Sequence, residues 1–100
     1  MKNKIDGKTI FITGGTGSFG NAMTNILLKK YKPKKIIIFS RDELKQYEMK
    51  NSILSKYLKN MRFFIGDIRD LSRLKTAMRN VDFVIHAAAL KQVPIAEYNP

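Results

Sequence analysis

Apolar positions along this chain fall into short continuous runs, and the stretches between them carry apolar residues at every third or fourth place. Four runs stand out: Thr9-Ile10-Phe11-Ile12-Thr13, Ile36-Ile37-Ile38-Phe39, Arg62-Phe63-Phe64-Ile65 and Val81-Asp82-Phe83-Val84-Ile85-His86. Their near-continuous β-branched and aromatic content suits strands covered on both faces rather than strands with one wet side. Between them the spacing predicts three helices. The first, over 18–31, places Phe19, Met23, Ile26 and Leu27 on one face and ends at Pro33. The second, over 42–58, turns Leu44, Tyr47, Leu54 and Leu58 inward, with Asp42 and Glu43 at its positive N-terminus. The third, over 70–79, shows Leu71, Leu74 and Met78 at helical spacing behind Asp70 as the expected cap.

Strands that alternate with helices imply a parallel sheet with helices on both faces. No internal repeat or low-complexity linker interrupts the pattern, so residues 1–100 are expected to form one domain. Met1 lies a few residues before the first strand, whereas Asn99-Pro100 falls as a fourth helix begins. The expectation is therefore a natural start and an end cut within a larger fold.

Directly after the first strand comes Thr13-Gly14-Gly15-Thr16-Gly17-Ser18-Phe19-Gly20, in which Gly15, Gly17 and Gly20 match G-x-G-x-x-G at a strand-to-helix junction. Glycine at the turn reaches backbone conformations closed to other residues, Gly17 lets the main chain approach a pyrophosphate, and Gly20 allows close packing of helix on strand. Free N–H groups at the helix start then face the phosphates. Gly14, Thr16, Gly17, Ser18, Phe19 and Gly20 are the candidate dinucleotide contacts of this loop. The context points to an NAD(P)-binding, Rossmann-like doubly wound sheet, here its N-terminal half, with strand order 3-2-1-4. No Gly-Lys-Ser/Thr follows the glycines, which excludes a P-loop nucleotidase.

At the end of the second strand, where NAD enzymes place an acidic residue on the ribose 2′-OH, the chain has Ser40 and Arg41. A carboxylate repels a 2′-phosphate and a guanidinium binds it, so NADP is the expected cofactor, with Asp42 as the competing acidic position. Gly66-Asp67-Ile68-Arg69-Asp70 follows the third strand, and Asp67 and Ile68 are candidates for the adenine side. Two loop carboxylates without histidine support make a poor metal or acid–base site. After the fourth strand, Ala87, Ala88 and Ala89 let a cofactor lie against the backbone, with Lys91 and Gln92 near the nicotinamide or substrate. His86, the single histidine, reads as a packed or hydrogen-bonded strand residue.

Composition adds limits. With 44% hydrophobic and 27% charged residues the chain reads as an ordinary globular protein. Cysteine is absent, which removes disulfides, thiolate metal sites and cysteine nucleophiles and suits a reducing cytoplasm. Neither a signal peptide nor an apolar run of the ~20 residues needed to span a bilayer is present, so no membrane association is expected. A net charge of +11 raises the question of nucleic acid. The lysines are scattered, and their densest group, Lys29, Lys30, Lys32, Lys34 and Lys35, sits at a helix end where cations are favoured. A solvated basic face, with no nucleic-acid partner, is the reading adopted.

Taken together, Thr13 to Gly20, Ser40-Arg41-Asp42-Glu43, Gly66 to Asp70 and His86-Ala87-Ala88-Ala89-Leu90-Lys91-Gln92-Val93-Pro94 resemble the extended short-chain dehydrogenase/reductase superfamily. More narrowly, the chain is similar to the start of the bacterial configuration-inverting UDP-N-acetylglucosamine 4,6-dehydratases, and the stretch Ser40 to Met49 and Ala96-Glu97-Tyr98-Asn99-Pro100 sharpen that match. The retaining branch usually carries preceding transmembrane helices, which this start lacks. The resemblance covers the whole chain but only the first third of a family member. It implies NADP⁺-dependent removal of hydride from sugar C4, loss of water across C5 and C6 and return of hydride at C6, on a UDP-sugar, in a cytoplasmic homo-oligomer. The family's Tyr-x-x-x-Lys and Asp-Lys pairs lie later in the fold, and Tyr47, Tyr57 and Tyr98 do not supply the first of them. No catalytic residue is therefore expected in this chain, which by itself should be inactive. A UDP-sugar 4-epimerase and a non-catalytic NADP sensor module are the alternatives carried forward.

Overall fold

The computed structural model describes residues 4–14 and 16–86. Strands β1 (Thr9–Thr13), β2 (Lys35–Ser40), β3 (Met61–Ile65) and β4 (Phe83–His86) form one sheet in the order β3-β2-β1-β4, with every pairing parallel. This is the expected strand order, and with the intervening helices it makes the expected Rossmann-like half. Chain reversals between parallel neighbours need crossovers, and α1 (Ser18–Lys30), α2 (Glu43–Ser52), α3 (Ser55–Leu58) and α4 (Leu71–Ala77) supply them.

Successive residues of a strand point to opposite faces, so β1 and β2 feed two cores. On one face Ile10, Ile12, Ile36 and Ile38 meet Leu27 and Leu28 of α1 and Met49 of α2, together with Ile53 and Met61. On the other, Phe11, Ile37, Phe39 and Phe64 pack with Ala77 of α4. Both central strands are thereby buried along almost their whole length, which explains their unbroken apolar composition. β4 differs: Phe83 and Val84 are 41% and 51% exposed, and among the described residues it pairs with β1 alone.

The helices depart from the expected pattern in three ways. In α1 the buried residues are Gly20, Thr24, Leu27 and Leu28, while Phe19 and Ile26 are half-exposed. The packed face therefore runs through Gly20, Thr24, Leu27 and Leu28, at the i, i+4, i+7 and i+8 positions of one helical face, rather than through Phe19 and Ile26. The helix expected over 42–58 is broken. Ile53 and Leu54 take extended conformations (ψ 135° and 136°), which sends Ile53 into the core and starts α3. As a result Leu44, Tyr47 and Leu54 face outward at 60–68% exposure, and the inward positions are Gln46 and Met49. In α4, Leu71 is 65% exposed and Ala77 is the buried residue, with Leu74 and Met78 packed at its margin. Asp42 and Asp70 do cap α2 and α4, accepting hydrogen bonds from the backbone N–H groups of Lys45 (2.9 Å) and Arg73 (3.1 Å).

Candidate functional site

A parallel sheet leaves its ligand crevice at the carboxyl ends of its strands, beside the point where strand order reverses. Here β2 and β3 lie to one side of β1 and β4 to the other, so the reversal occurs at β1. An open cleft of about 870 Å³ lies at these strand ends, bounded by Gly14, by Ser40, Arg41 and Glu43 after β2, and by Gly66, Asp67 and Ile68 after β3. Residues from three of the four predicted loops thus share one cavity.

The glycine turn begins with Gly14, whose φ of +64° lies in the left-handed region that favours glycine. Its N–H donates to the Phe39 carbonyl (3.0 Å) and joins the turn to β2. Gly17 caps α1 with ordinary extended backbone, and a Cβ placed there would meet only the Gly14 carbonyl oxygen, at 3.7 Å. The space in front of Gly17 is thus free of the described protein atoms, as a closely approaching pyrophosphate requires. No side chain caps α1 and no acidic residue stands in its first turn. Its first N–H groups lack intrahelical partners and are available to an anion. Thr16, Ser18 and Phe19 line this turn, while Gly20 is buried under it. The Asn21 amide donates to the carbonyls of Thr16 and Gly17, both at 3.0 Å, and so fixes the turn.

At the end of β2, the Arg41 side chain is 71% exposed and its Nη1 stands 3.6 Å from Asp67 Oδ2. Asp42, the competing acidic position, has one carboxylate oxygen committed to the cap of α2. Asp67 is held by Arg69: the Arg69 backbone N–H (2.9 Å), Nε (3.1 Å) and Nη2 (2.8 Å) all donate to its carboxylate. These bonds, the side-chain ones first, keep the Asp67 carboxyl well below the usual carboxylate range, and the same pairing raises the Arg69 guanidinium. The carboxylate at this lip is therefore neutralised locally, and Arg41 projects the less committed positive charge. Gly66 is sterically required, since a Cβ would sit 2.6 Å from the buried ring of Phe39.

His86 ends β4 with its Nδ1 hydrogen-bonded to Thr13 Oγ1. Gly15, Ala87, Ala88, Ala89, Lys91 and Gln92 lie outside the described residues. One Tyr-x-x-x-Lys spacing does occur, Tyr31 and Lys35, but it spans the Pro33 break between α1 and β2 at the end of the sheet remote from the cleft.

Two residues that sequence reasoning missed shape the site. Arg69 neutralises Asp67, and Gln46, only 5% exposed, reaches from α2 to the ends of β2 and β3. Its Nε2 donates to Ser40 Oγ (2.9 Å) and to the Phe64 carbonyl (2.7 Å). A polar residue reads as outward in a hydrophobic pattern, so periodicity carries no signal for Gln46.

Residues 10–100 match the family described as polysaccharide biosynthesis protein. The chain is 65% identical over 96 residues to the UDP-N-acetylglucosamine 4,6-dehydratase (inverting) of Campylobacter jejuni subsp. jejuni serotype O:23/36 (strain 81-176), a match covering 96% of this chain and 28% of that protein. It is 52% identical over 96 residues to a UDP-glucose 4-epimerase of Rickettsia akari (strain Hartford), with 93% of this chain and 27% of the epimerase covered. Among solved structures, Pen from Bacillus thuringiensis superposes with a TM-score of 0.78 at 41% identity, over 96% of this chain and 29% of that one. A wide-type short-chain dehydrogenase/reductase from Veillonella parvula DSM 2008, solved in complex with NADP, shares the fold at a TM-score of 0.61 and 21% identity, over 79% of this chain and 34% of its own. The chain thus spans under a third of the length of the dehydratase, the epimerase and Pen, and about a third of the Veillonella protein.

Proposed function

The chain belongs to the polysaccharide biosynthesis protein family, and from that premise we propose that residues 1–100 are the N-terminal NADP-binding portion of an inverting UDP-N-acetylglucosamine 4,6-dehydratase. The observation that carries the cofactor part of this reading is the cleft itself, in which the left-handed Gly14 turn and the exposed guanidinium of Arg41 face one cavity. A pyrophosphate fits the Gly17 turn and the uncapped start of α1, and a 2′-phosphate fits Arg41 and Ser40. Asp67 and Ile68 would flank the adenine, and Ala87, Ala88, Ala89 and Lys91 would continue toward the nicotinamide. When bound, the cofactor supplies a hydride acceptor for sugar C4 and a hydride donor for C6. The residues of this chain bind and orient, whereas proton transfers and sugar recognition belong to parts of the protein beyond it. A UDP-sugar substrate, a cytoplasmic setting and a homo-oligomeric enzyme complete the proposal. Among the described residues no helix is long and apolar enough to cross a membrane.

A second reading is favoured by a specific observation, the 52% identity to a UDP-glucose 4-epimerase. The two reactions differ in the product. Incubated with UDP-N-acetylglucosamine, the full-length protein should release a 4-keto-6-deoxy sugar nucleotide lighter by one water, as read by mass spectrometry and NMR. A product of unchanged mass with inverted C4 would replace the dehydratase by the epimerase, and no turnover of any UDP-sugar would favour a sensor module.

A further inference from the structure

We infer that Gln46 is a specificity-positioning residue: it locks the Ser40 hydroxyl as a hydrogen-bond donor into the cleft and so favours an acceptor-only phosphate over a ribose hydroxyl at that corner. The inference rests on the reading of the cleft as a dinucleotide site and adds to it a residue that never touches the ligand.

The assignment follows from counting donors and acceptors. The atom of the Gln46 amide that faces the Phe64 carbonyl at 2.7 Å must be nitrogen, because two carbonyl oxygens would repel at that distance. The same nitrogen lies 2.9 Å from Ser40 Oγ, and its second hydrogen is directed there, with the Ser40 carbonyl a weaker neighbour at 3.4 Å. Ser40 Oγ therefore accepts from Gln46. A hydroxyl that accepts on one side keeps its single proton for another, and among the described residues no acceptor takes that proton. Ser40 borders the cleft beside Arg41, so the proton is available there. A carboxylate at this position would accept from a 2′-OH and repel a phosphate, whereas the Gln46–Ser40 pair presents a donor, for which a charged phosphate oxygen is a stronger acceptor than a ribose hydroxyl. Gln46 is buried and held by β3 as well as β2, so the orientation is built into the fold before any ligand arrives.

The test measures Kd for NADP⁺ and NAD⁺ by calorimetry on the full-length protein and on Ser40→Ala, Gln46→Met and the double variant, with circular dichroism as a check of folding. Each single change should lower the NADP⁺/NAD⁺ affinity ratio by about tenfold, as expected for one hydrogen bond to a charged group, with NAD⁺ binding little altered. In the Ser40→Ala background, Gln46→Met should change the ratio no further, since its effect runs through the serine. Equal loss of both cofactors in Gln46→Met, or a further fall of the ratio in the double variant, would overturn the positioning role and leave the NADP reading standing. If Gln46→Met fails to fold, Ser40→Ala decides: an unchanged ratio there overturns the inference. A wild-type protein with no preference for NADP⁺ would remove the reading beneath it as well.

Discussion

Arg41 and Asp67 show how charge at the cleft is apportioned residue by residue. Asp67 is bound closely by Arg69 at 2.8 Å and Arg41 stands farther off at 3.6 Å, so an incoming phosphate can draw Arg41 away without stranding the carboxylate. Arg41→Glu should therefore weaken NADP⁺ binding by about tenfold or more while NAD⁺ is spared, by titration calorimetry. Unchanged NADP⁺ affinity would exclude contact with the 2′-phosphate. The Asp67 pairing also has a pH signature. Its folded pKa lies below the unfolded value, so the pair's contribution is complete above the ordinary carboxylate range and is lost as pH falls through the lowered value. The pair is exposed, so salt screens it. A carboxyl ¹³C titration should find Asp67 still ionised below about 3.9, the ordinary aspartate value, and Arg69→Gln should return it toward that value.

At the scale of elements, the face that α2 buries is the finding that periodicity did not foresee. Leu44 and Tyr47 make a plausible apolar stripe, but the Asp42 cap sets where α2 begins, and the Gln46 bonds to β2 and β3 set how it is rotated. That rotation turns Met49 inward and Leu44 and Tyr47 to solvent. Chemical denaturation separates the two arrangements. Met49→Ala should cost about 2–5 kcal/mol, as for other buried Met-to-Ala changes, whereas Leu44→Ser should stay within about 0.5 kcal/mol. The reverse ranking would mean that α2 packs by its apolar stripe. The break at Ile53 has a related cause: with Met49 already inward, an extended residue carries Ile53 into the same core before α3 begins.

For the molecule as a whole, burial is uneven across the sheet. β1 and β2 are sealed between two cores, while β4 exposes Phe83 and Val84. An apolar strand whose outer edge carries no described partner is a template for pairing with another chain. Produced by itself, the 100-residue chain should self-associate with rising concentration in sedimentation or size-exclusion experiments. Val84→Lys should shift it toward monomer, because an edge lysine would have to be desolvated on pairing. Association unchanged by that substitution would place the sticky surface elsewhere, with the outward Leu44, Tyr47 and Leu54 as the next region to test.

The sequence by itself determined the elements whose signals are local. Continuous apolar runs specify the four strands, though only β1 and β2 are buried on both faces, Asp42 and Asp70 specify helix starts, and Gly14 meets a backbone demand that other residues satisfy poorly. The order β3-β2-β1-β4 was also legible, because a glycine turn between a buried strand and a helix belongs to a parallel sheet whose strand order reverses there. Only the tertiary structure decided which side of each helix faces the sheet, since several rotations bury comparable apolar area and a few long-range contacts choose among them. Gln46 is one such contact, joining residues 6 and 18 positions away in the chain. The same holds for Asp67, whose charge is compensated by an arginine two residues on folding back over it, a geometry that composition and spacing leave open.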